Sequence, residues 1–271
     1  MHNLFDIKDK VILITGATGV LGSSIATYLA QNGAQVGLLA RKANAAKKLQ
    51  ERIEILGGKA FTSIADVTDE SQLQSVQKNI AERFQGMDGL INAAGGNIPG
   101  ATIAPDKTLL DSDTEALRQI IDLNYIGTYL PIKIFLPLFS NKNKGSIINI
   151  SSMSAERPLT RVMGYSSSKA AIDNLTKWLA VEFAQKHGEG LRVNAIAPGF
   201  FLTTQNKNLL TQEDGSLTSR GNQIISNTPM GRFGAPEELF GAVHYLCSDA
   251  SKFVTGTTMA IDGGFGCYSG V

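Results

Sequence analysis

Apolar runs and amphipathic segments alternate along the whole chain. Short apolar stretches stand at VILIT (11–15), AQVGLLA (34–40), KAFTSIA (59–65), GLINAA (89–94), SIINIS (146–151), LRVNAIA (191–197) and TMAID (258–262). Between them, 20–32, 43–56, 70–84, 113–139, 163–186 and 236–248 carry apolar residues at the helical period. Strands that alternate with helices predict a parallel sheet covered on both faces. The strand runs are apolar throughout instead of alternating, as strands buried on both sides are. The stretch 199–235 departs from this pattern. It is polar, rich in amides and too long for a simple connection, so it reads as an irregular substrate lid after a strand's carboxyl end.

The 271 residues, 43% of them hydrophobic, suffice to bury one sizeable core. No repeat or composition shift divides them, so one domain over 1–271 is expected. Lys and Arg total 25 against 24 Asp and Glu. That balance gives no electrostatic footprint for nucleic acid or an anionic membrane. The longest apolar stretch, 128–139, is too short to span a bilayer and is broken by Pro131, Lys133 and Pro137. The N-terminus lacks an export pattern, and Cys247 and Cys267 have no CxxC spacing, so a reduced, cytoplasmic setting is expected. His2, His187 and His244 are scattered, and no metal site is expected.

Candidate chemistry begins at TGATGVLG (15–22), between the first strand and the first helix. Gly16, Gly19 and Gly22 permit a tight turn and close backbone approach to a pyrophosphate at a helix N-terminus. The architecture then becomes α/β of Rossmann type: a doubly wound, seven-stranded parallel sheet flanked by helices. After the second strand the chain reads Ala40-Arg41-Lys42, with cations where a ribose-binding acid would favour NAD. Arg41 and Lys42 suit a 2′-phosphate, so NADP(H) is the favoured cofactor, and NAD(H) is the alternative if both are solvated surface charges. Asp66 follows the third strand, as a ligand of the adenine amino group or as a turn aspartate.

Tyr165 and Lys169 stand four apart in MGYSSSKAAIDNLTKW (163–178), on one face of a helix. A free tyrosine has a pKa of about 10; bringing it to about 7 needs roughly 4 kcal/mol of phenolate stabilisation. A neighbouring ammonium and an oxidised nicotinamide are two sources of it. On the same helix, Leu175, Trp178, Leu179 and Phe183 read as core or subunit contact.

In this order, TGATGVLG, NAAG (92–95), Asn124 in LNYIG, Ser152 in INISS, YSSSK (165–169), and Pro198-Gly199 with Thr203 resemble the short-chain dehydrogenase/reductase family over about residues 8 to 264. Ser152 precedes Tyr165 by thirteen residues, the family's usual separation. Two departures stand out: the loop's middle glycine is Gly19 and not residue 20, and the usual NNAG is Asn92-Ala93-Ala94-Gly95. The resemblance implies catalysis by Asn124, Ser152, Tyr165 and Lys169. Tyr165 would exchange a proton with the substrate oxygen, and Ser152 would polarise the carbonyl. Lys169 would also hold the nicotinamide ribose, and Asn124 would fix a relay water. It further implies cofactor contacts from Gly16, Thr18, Gly19, Val20, Leu21, Val67, Asn92, Ala93, Ala94, Gly95, Pro198, Gly199 and Thr203, and a homotetramer.

Further stretches (AGGNIPGAT, ISSMSAERPLT, GFFLTTQNKNLL, NTPMGRFGAPEEL and the terminal DGGFGCYSGV) are similar to the family's D-mannonate oxidoreductase (fructuronate reductase) group. That resemblance implies interconversion of a keto-uronate and its hydroxy acid. A uronate carboxylate needs cations or amides. Candidates are Asn97, Arg157, Arg161, Gln205 and Asn206. Other open readings are reduction of an alginate-derived keto-uronate, a sugar ketone or a 3-oxoacyl thioester, and a non-catalytic dinucleotide sensor.

Overall fold

The computed structural model describes residues 3–140, 144–203 and 206–270. Seven strands, β1 (Val11–Thr15), β2 (Gln35–Ala40), β3 (Lys59–Ile64), β4 (Gly89–Asn92), β5 (Gly145–Ile150), β6 (Leu191–Pro198) and β7 (Thr258–Ile261), form one sheet. Their order is β3-β2-β1-β4-β5-β6-β7, and every neighbouring pair is parallel. The seven apolar runs of the sequence are these strands, to within two residues at each end.

The pleat of β1 explains why its run is apolar throughout. Ile12 and Ile14 enter one core with Ile25 and Leu29 of α1 (Val20–Gln31), and Leu49 and Ile53 of α2 (Ala43–Ile55). Val11 and Leu13 enter a second core with Leu73 and Ile80 of α3 (Glu70–Phe84). Two helical layers therefore sandwich the sheet, as the alternation predicts.

The segment 113–139 is not one helix. It divides into α4 (Thr114–Ile121), a π-helical turn over Asp122–Ile126, α5 (Gly127–Phe135) and α6 (Pro137–Ser140). Pro131 and Pro137 remove backbone donors from the second half. In the wide turn, Asn124 Nδ2 donates to the Ile120 carbonyl at 2.9 Å, and Thr128 Oγ1 to the Asn124 carbonyl at 2.8 Å. These side chains supply carbonyls with donors where the regular ladder is interrupted. The long helix α7 (Met163–His187) follows β5 and packs Leu175, Leu179 and Phe183 into the second core.

The stretch 199–235, expected as a lid, is more ordered than its composition suggests. It holds α8 (Lys207–Leu210) and α9 (Ser219–Ser226), joined by a bridge between Thr211 and Leu217. Leu210, Ile224 and Thr228 are buried beneath it. The final helical segment opens as a 3-10 turn at Pro236–Leu239 and continues as α10 (Phe240–Cys247), which joins the first core through Val243 and Leu246.

Ile148, fully buried in the inner strand β5, tests the packing. Ile148→Ala should lower the denaturant unfolding free energy by about 2–5 kcal/mol, the cost of a methyl-lined cavity.

Candidate active site

Strand order reverses between β1 and β4, so the loops after them diverge and leave a crevice. Thr15 and Asn92 pair across this point, and both are buried. Thr15 Oγ1 accepts the Ala94 N–H at 3.1 Å, which ties the two loops together. Gly16 has φ +62°, and a Cβ there would sit 2.7 Å from the Ala94 backbone. No other residue fits this turn without strain. Gly19 caps α1 without a side chain, so the first-turn N–H groups stay open to an anion. This cradle, with Thr18, Val20 and Leu21 at its lip, suits a dinucleotide pyrophosphate.

Arg41 and Lys42 follow β2. Arg41 lies 3.7 Å from Asp66 across the strand ends, and both are partly exposed. Asp66 Oδ1 accepts the Thr68 N–H and hydroxyl at 3.0 and 2.7 Å, so this aspartate turns the chain. Burial works against its charge, but the Thr68 bonds and the Arg41 guanidinium outweigh it and hold its pKa below the usual value. The Lys42 ammonium has no hydrogen-bond or ion-pair partner among the described residues. Val67 is buried beneath Gly127, at the start of α5.

The four candidate catalytic residues converge. Lys169 is 3% exposed; its Nζ donates to the Ile150 carbonyl at 2.6 Å and lies 5.5 Å from the centre of the Tyr165 ring. Gly95, at φ +150°, leaves room for Asn124: a Cβ there would be 2.7 Å from Asn124 Oδ1 and 3.4 Å from Lys169 Nζ. Asn124 is fully buried and clamps the same loop, accepting the Gly96 N–H at 3.0 Å and donating to the Gly96 carbonyl at 2.9 Å. Behind them, Asn92 Nδ2 donates to Asn149 Oδ1, and Asn149 Nδ2 to Thr176 Oγ1, each at 2.9 Å. Ala93 carries the chain from Asn92 into the Ala94–Gly95 turn.

Ser152 Oγ accepts from the Ser154 N–H at 3.2 Å and the Ser154 hydroxyl at 3.0 Å. With both acceptor positions used, its own hydrogen is left to donate. Burial raises the Tyr165 pKa above its ordinary value, and the neighbouring Ser152 hydroxyl offsets only part of that rise. The same burial lowers Lys169 to about 8, against the opposing attraction of Asp173. Of the two sources of phenolate stabilisation, Lys169 alone does not offset the burial of Tyr165. Its ammonium faces the ring, and burial makes the neutral amine more accessible while keeping the phenol protonated.

The C-terminal ends of β6 and β7 meet at Gly199, where a Cβ would fall 2.7 Å from the Asp262 Cα. The Gly199 N–H, just after Pro198, donates to the Ile261 carbonyl at 2.9 Å. Thr203 turns the chain toward α8, and its N–H is accepted by Asn206 Oδ1 at 2.8 Å, while Asn206 Nδ2 donates to the Phe201 carbonyl at 2.8 Å. Asn206 thus spends its side chain inside the loop. Gln205 lies outside the described residues. Arg161 has φ +76° and is pinned to Ile103, its Nε donating to that carbonyl at 3.1 Å. Asn97 donates to Thr102.

Among the described candidates for the carboxylate, Arg157 lines a cleft of about 300 Å³. Its other walls include Phe200, Arg220, Gln223, Phe265 and Tyr268. The cleft is bounded by the loop that links Ser152 to α7, by the residue after Gly199, by the lid and by the C-terminal tail. Sequence reading missed Arg220 and Gln223. Their signal is the spacing of 220, 223, 224 and 227, one helical face, which is visible only once 219–226 is known to be helix.

A proton donor at the mouth of a dinucleotide cradle suits interconversion of an alcohol and a carbonyl. Comparison with known proteins agrees. A family model described as enoyl-(acyl carrier protein) reductase matches residues 16–266. An uncharacterized oxidoreductase of Bacillus subtilis (strain 168), UxuB, is 42% identical over 98% of both chains. A candidate D-mannonate oxidoreductase from Haemophilus influenzae, solved with bound NAD, is 42% identical with a TM-score of 0.92 over 98% of both chains. A gluconate 5-dehydrogenase from Burkholderia cenocepacia J2315, solved with NADP and tartrate, is 29% identical with a TM-score of 0.86 over 97% of both chains. The chain belongs to the short-chain dehydrogenase/reductase family. It is an NAD(P)-dependent oxidoreductase of CH–OH/C=O pairs.

Lys169 gives a test by pH. Its folded pKa of about 8 lies below the ordinary 10.5, so between these values the unfolded chain binds more protons and stability rises with pH. In denaturant unfolding, the wild type should gain about 2 kcal/mol over Lys169→Met between pH 7 and pH 9.5.

Proposed function

We propose that the enzyme interconverts a keto-uronate and its hydroxy acid, of the D-fructuronate/D-mannonate type. The observation that carries this reading is the cleft between the loop after Ser152 and helix α9, which Arg157 lines and, among the described residues, no Asp or Glu does. The likeness to a candidate D-mannonate oxidoreductase and to a gluconate 5-dehydrogenase points to the same class of sugar acids. A neutral sugar ketone would leave the cleft's cations unpaired. A non-catalytic sensor would have no use for the Ser152–Tyr165–Lys169 cluster.

Tyr165, kept protonated by burial, gives its proton to the substrate oxygen in reduction and recovers it in oxidation. Ser152 donates its hydrogen to the same oxygen and stabilises the charge that develops there. The bound nicotinamide supplies or accepts the hydride. Lys169 keeps two N–H donors beyond its bond to Ile150, enough to hold the nicotinamide ribose. Asn124 presses the Gly95–Gly96 loop against Lys169. Gly16, Gly19 and the open end of α1 hold the pyrophosphate.

Lys42, unpaired among the described residues, and Arg41 favour NADP(H). The NAD held by the Haemophilus influenzae protein, and the Asp66 that partly neutralises Arg41, favour NAD(H) as the competitor. The enzyme works in carbohydrate metabolism of the cytoplasm; no helix among the described residues is long and apolar enough to cross a membrane. It assembles as a homotetramer through the outer face of α7, where Trp178 and Val181 are 58% and 59% exposed.

Steady-state assays should find D-fructuronate reduced, with a lower KM for NADPH than for NADH. Tyr165→Phe should cut kcat by about 10²–10⁴-fold and leave cofactor affinity unchanged. No turnover of D-fructuronate with either cofactor would remove the substrate assignment. Trp178→Glu should shift the sedimentation coefficient from tetramer to smaller species; an unchanged coefficient would place the interface elsewhere.

A further inference from the structure

The lid carries a second cation into the cleft. Arg220, in the first turn of α9, has no hydrogen-bond or ion-pair partner among the described residues, yet it faces the same space as Arg157. Arg157 is held from behind, its Nε donating to the Gly266 carbonyl at 2.9 Å. Its two terminal nitrogens are left for a ligand. Among the described residues, no Asp or Glu lines this cleft. Two like charges facing one cavity without an acid repel each other, and an anion between them removes that cost.

The surroundings suit a carboxylate in particular. Phe200 and Phe265 meet edge to face at 5.2 Å and form an apolar wall that limits water. Gln223, one turn beyond Arg220, and Tyr268 add neutral polar groups. The tail that brings Phe265 and Tyr268 is fixed by Asp262, whose two oxygens accept the Gly264 and Gly266 N–H groups at 2.9 and 2.6 Å. Neither Ser152 nor Tyr165 lines this cleft, which fits an acid whose carboxylate lies several carbons from its reacting carbonyl.

We propose that Arg220 is a specificity-determining residue, and that with Arg157 it forms a two-guanidinium clamp for the substrate carboxylate. Arg157 is the fixed jaw, tied to the C-terminal tail, and Arg220 is the jaw on the lid. The inference rests on the reading of the substrate as a sugar acid and adds the residue that selects it over uncharged analogues.

The test is calorimetric titration of the full chain, saturated with cofactor, with D-mannonate and with its uncharged analogue D-mannitol. Arg220→Gln should weaken D-mannonate binding roughly ten- to hundredfold, as loss of a charge-assisted hydrogen bond does, and leave D-mannitol unchanged. Arg220→Lys should fall between, because an ammonium lacks the planar fork. Gln223→Glu adds an acid beside an intact Arg220 and should weaken D-mannonate alone; it decides the matter should Arg220→Gln fail to fold. D-mannonate affinity within twofold of wild type in Arg220→Gln would overturn the proposal. Equal loss of both ligands would also overturn it. A selective loss of D-mannonate in a protein that reduces no D-fructuronate would leave the clamp standing and remove the assigned reaction. Turnover of D-fructuronate with KM unchanged in Arg220→Gln would do the reverse.

Discussion

The burial of one ammonium group organises this site. Lys169 sits inside the protein with a single hydrogen bond from Nζ, to the last carbonyl of β5. That contact joins α7 to β5 and sets where the Tyr165 ring lies, one turn earlier on the same helix face. It also explains the charge state of both groups. Removal from water lowers the lysine to about 8 and raises the tyrosine, so each moves toward its neutral form. At neutral pH a pKa of about 8 still leaves Lys169 mostly an ammonium, beside a Tyr165 that stays a phenol.

The room for this cluster comes from glycines in two loops of the crevice. Gly16 lets the first loop touch the Ala94 backbone, and Gly95 lets the second pass Asn124 and Lys169. Asn124 reaches this loop because the helix around it widens into a π-turn. The break in 113–139 is thus a positioning device, with side-chain donors serving carbonyls on either side of it.

The loop after Ser152, the lid helix α9 and the C-terminal tail are far apart in sequence and close one cleft. A shared family fold with differing walls is the usual basis for differing substrates. Relatives named for glucose, hydroxysteroid and 3-oxoacyl substrates at 31–33% identity fit that division.

Strand positions, the parallel sheet and the Gly16 cradle were legible in the sequence because each rests on local rules: apolar runs, the helical period and the φ of glycine. The pairing of Tyr165 with Lys169 was legible for the same reason, since four-residue spacing defines a helix face. The direction of the Tyr165 shift was not, because it depends on how much water the fold excludes. The π-turn at Asn124 was hidden within an amphipathic pattern that reads as one continuous helix. Asn206 resembled a ligand by type, but short-range backbone contacts use its side chain, and Arg161 is tied to Ile103 through Nε away from the cleft lining. Arg220 resembled surface until α9 formed and turned it toward Arg157. Local preference determined the elements and the glycine turns; only the packing of distant segments decided which polar groups were left free to meet a substrate.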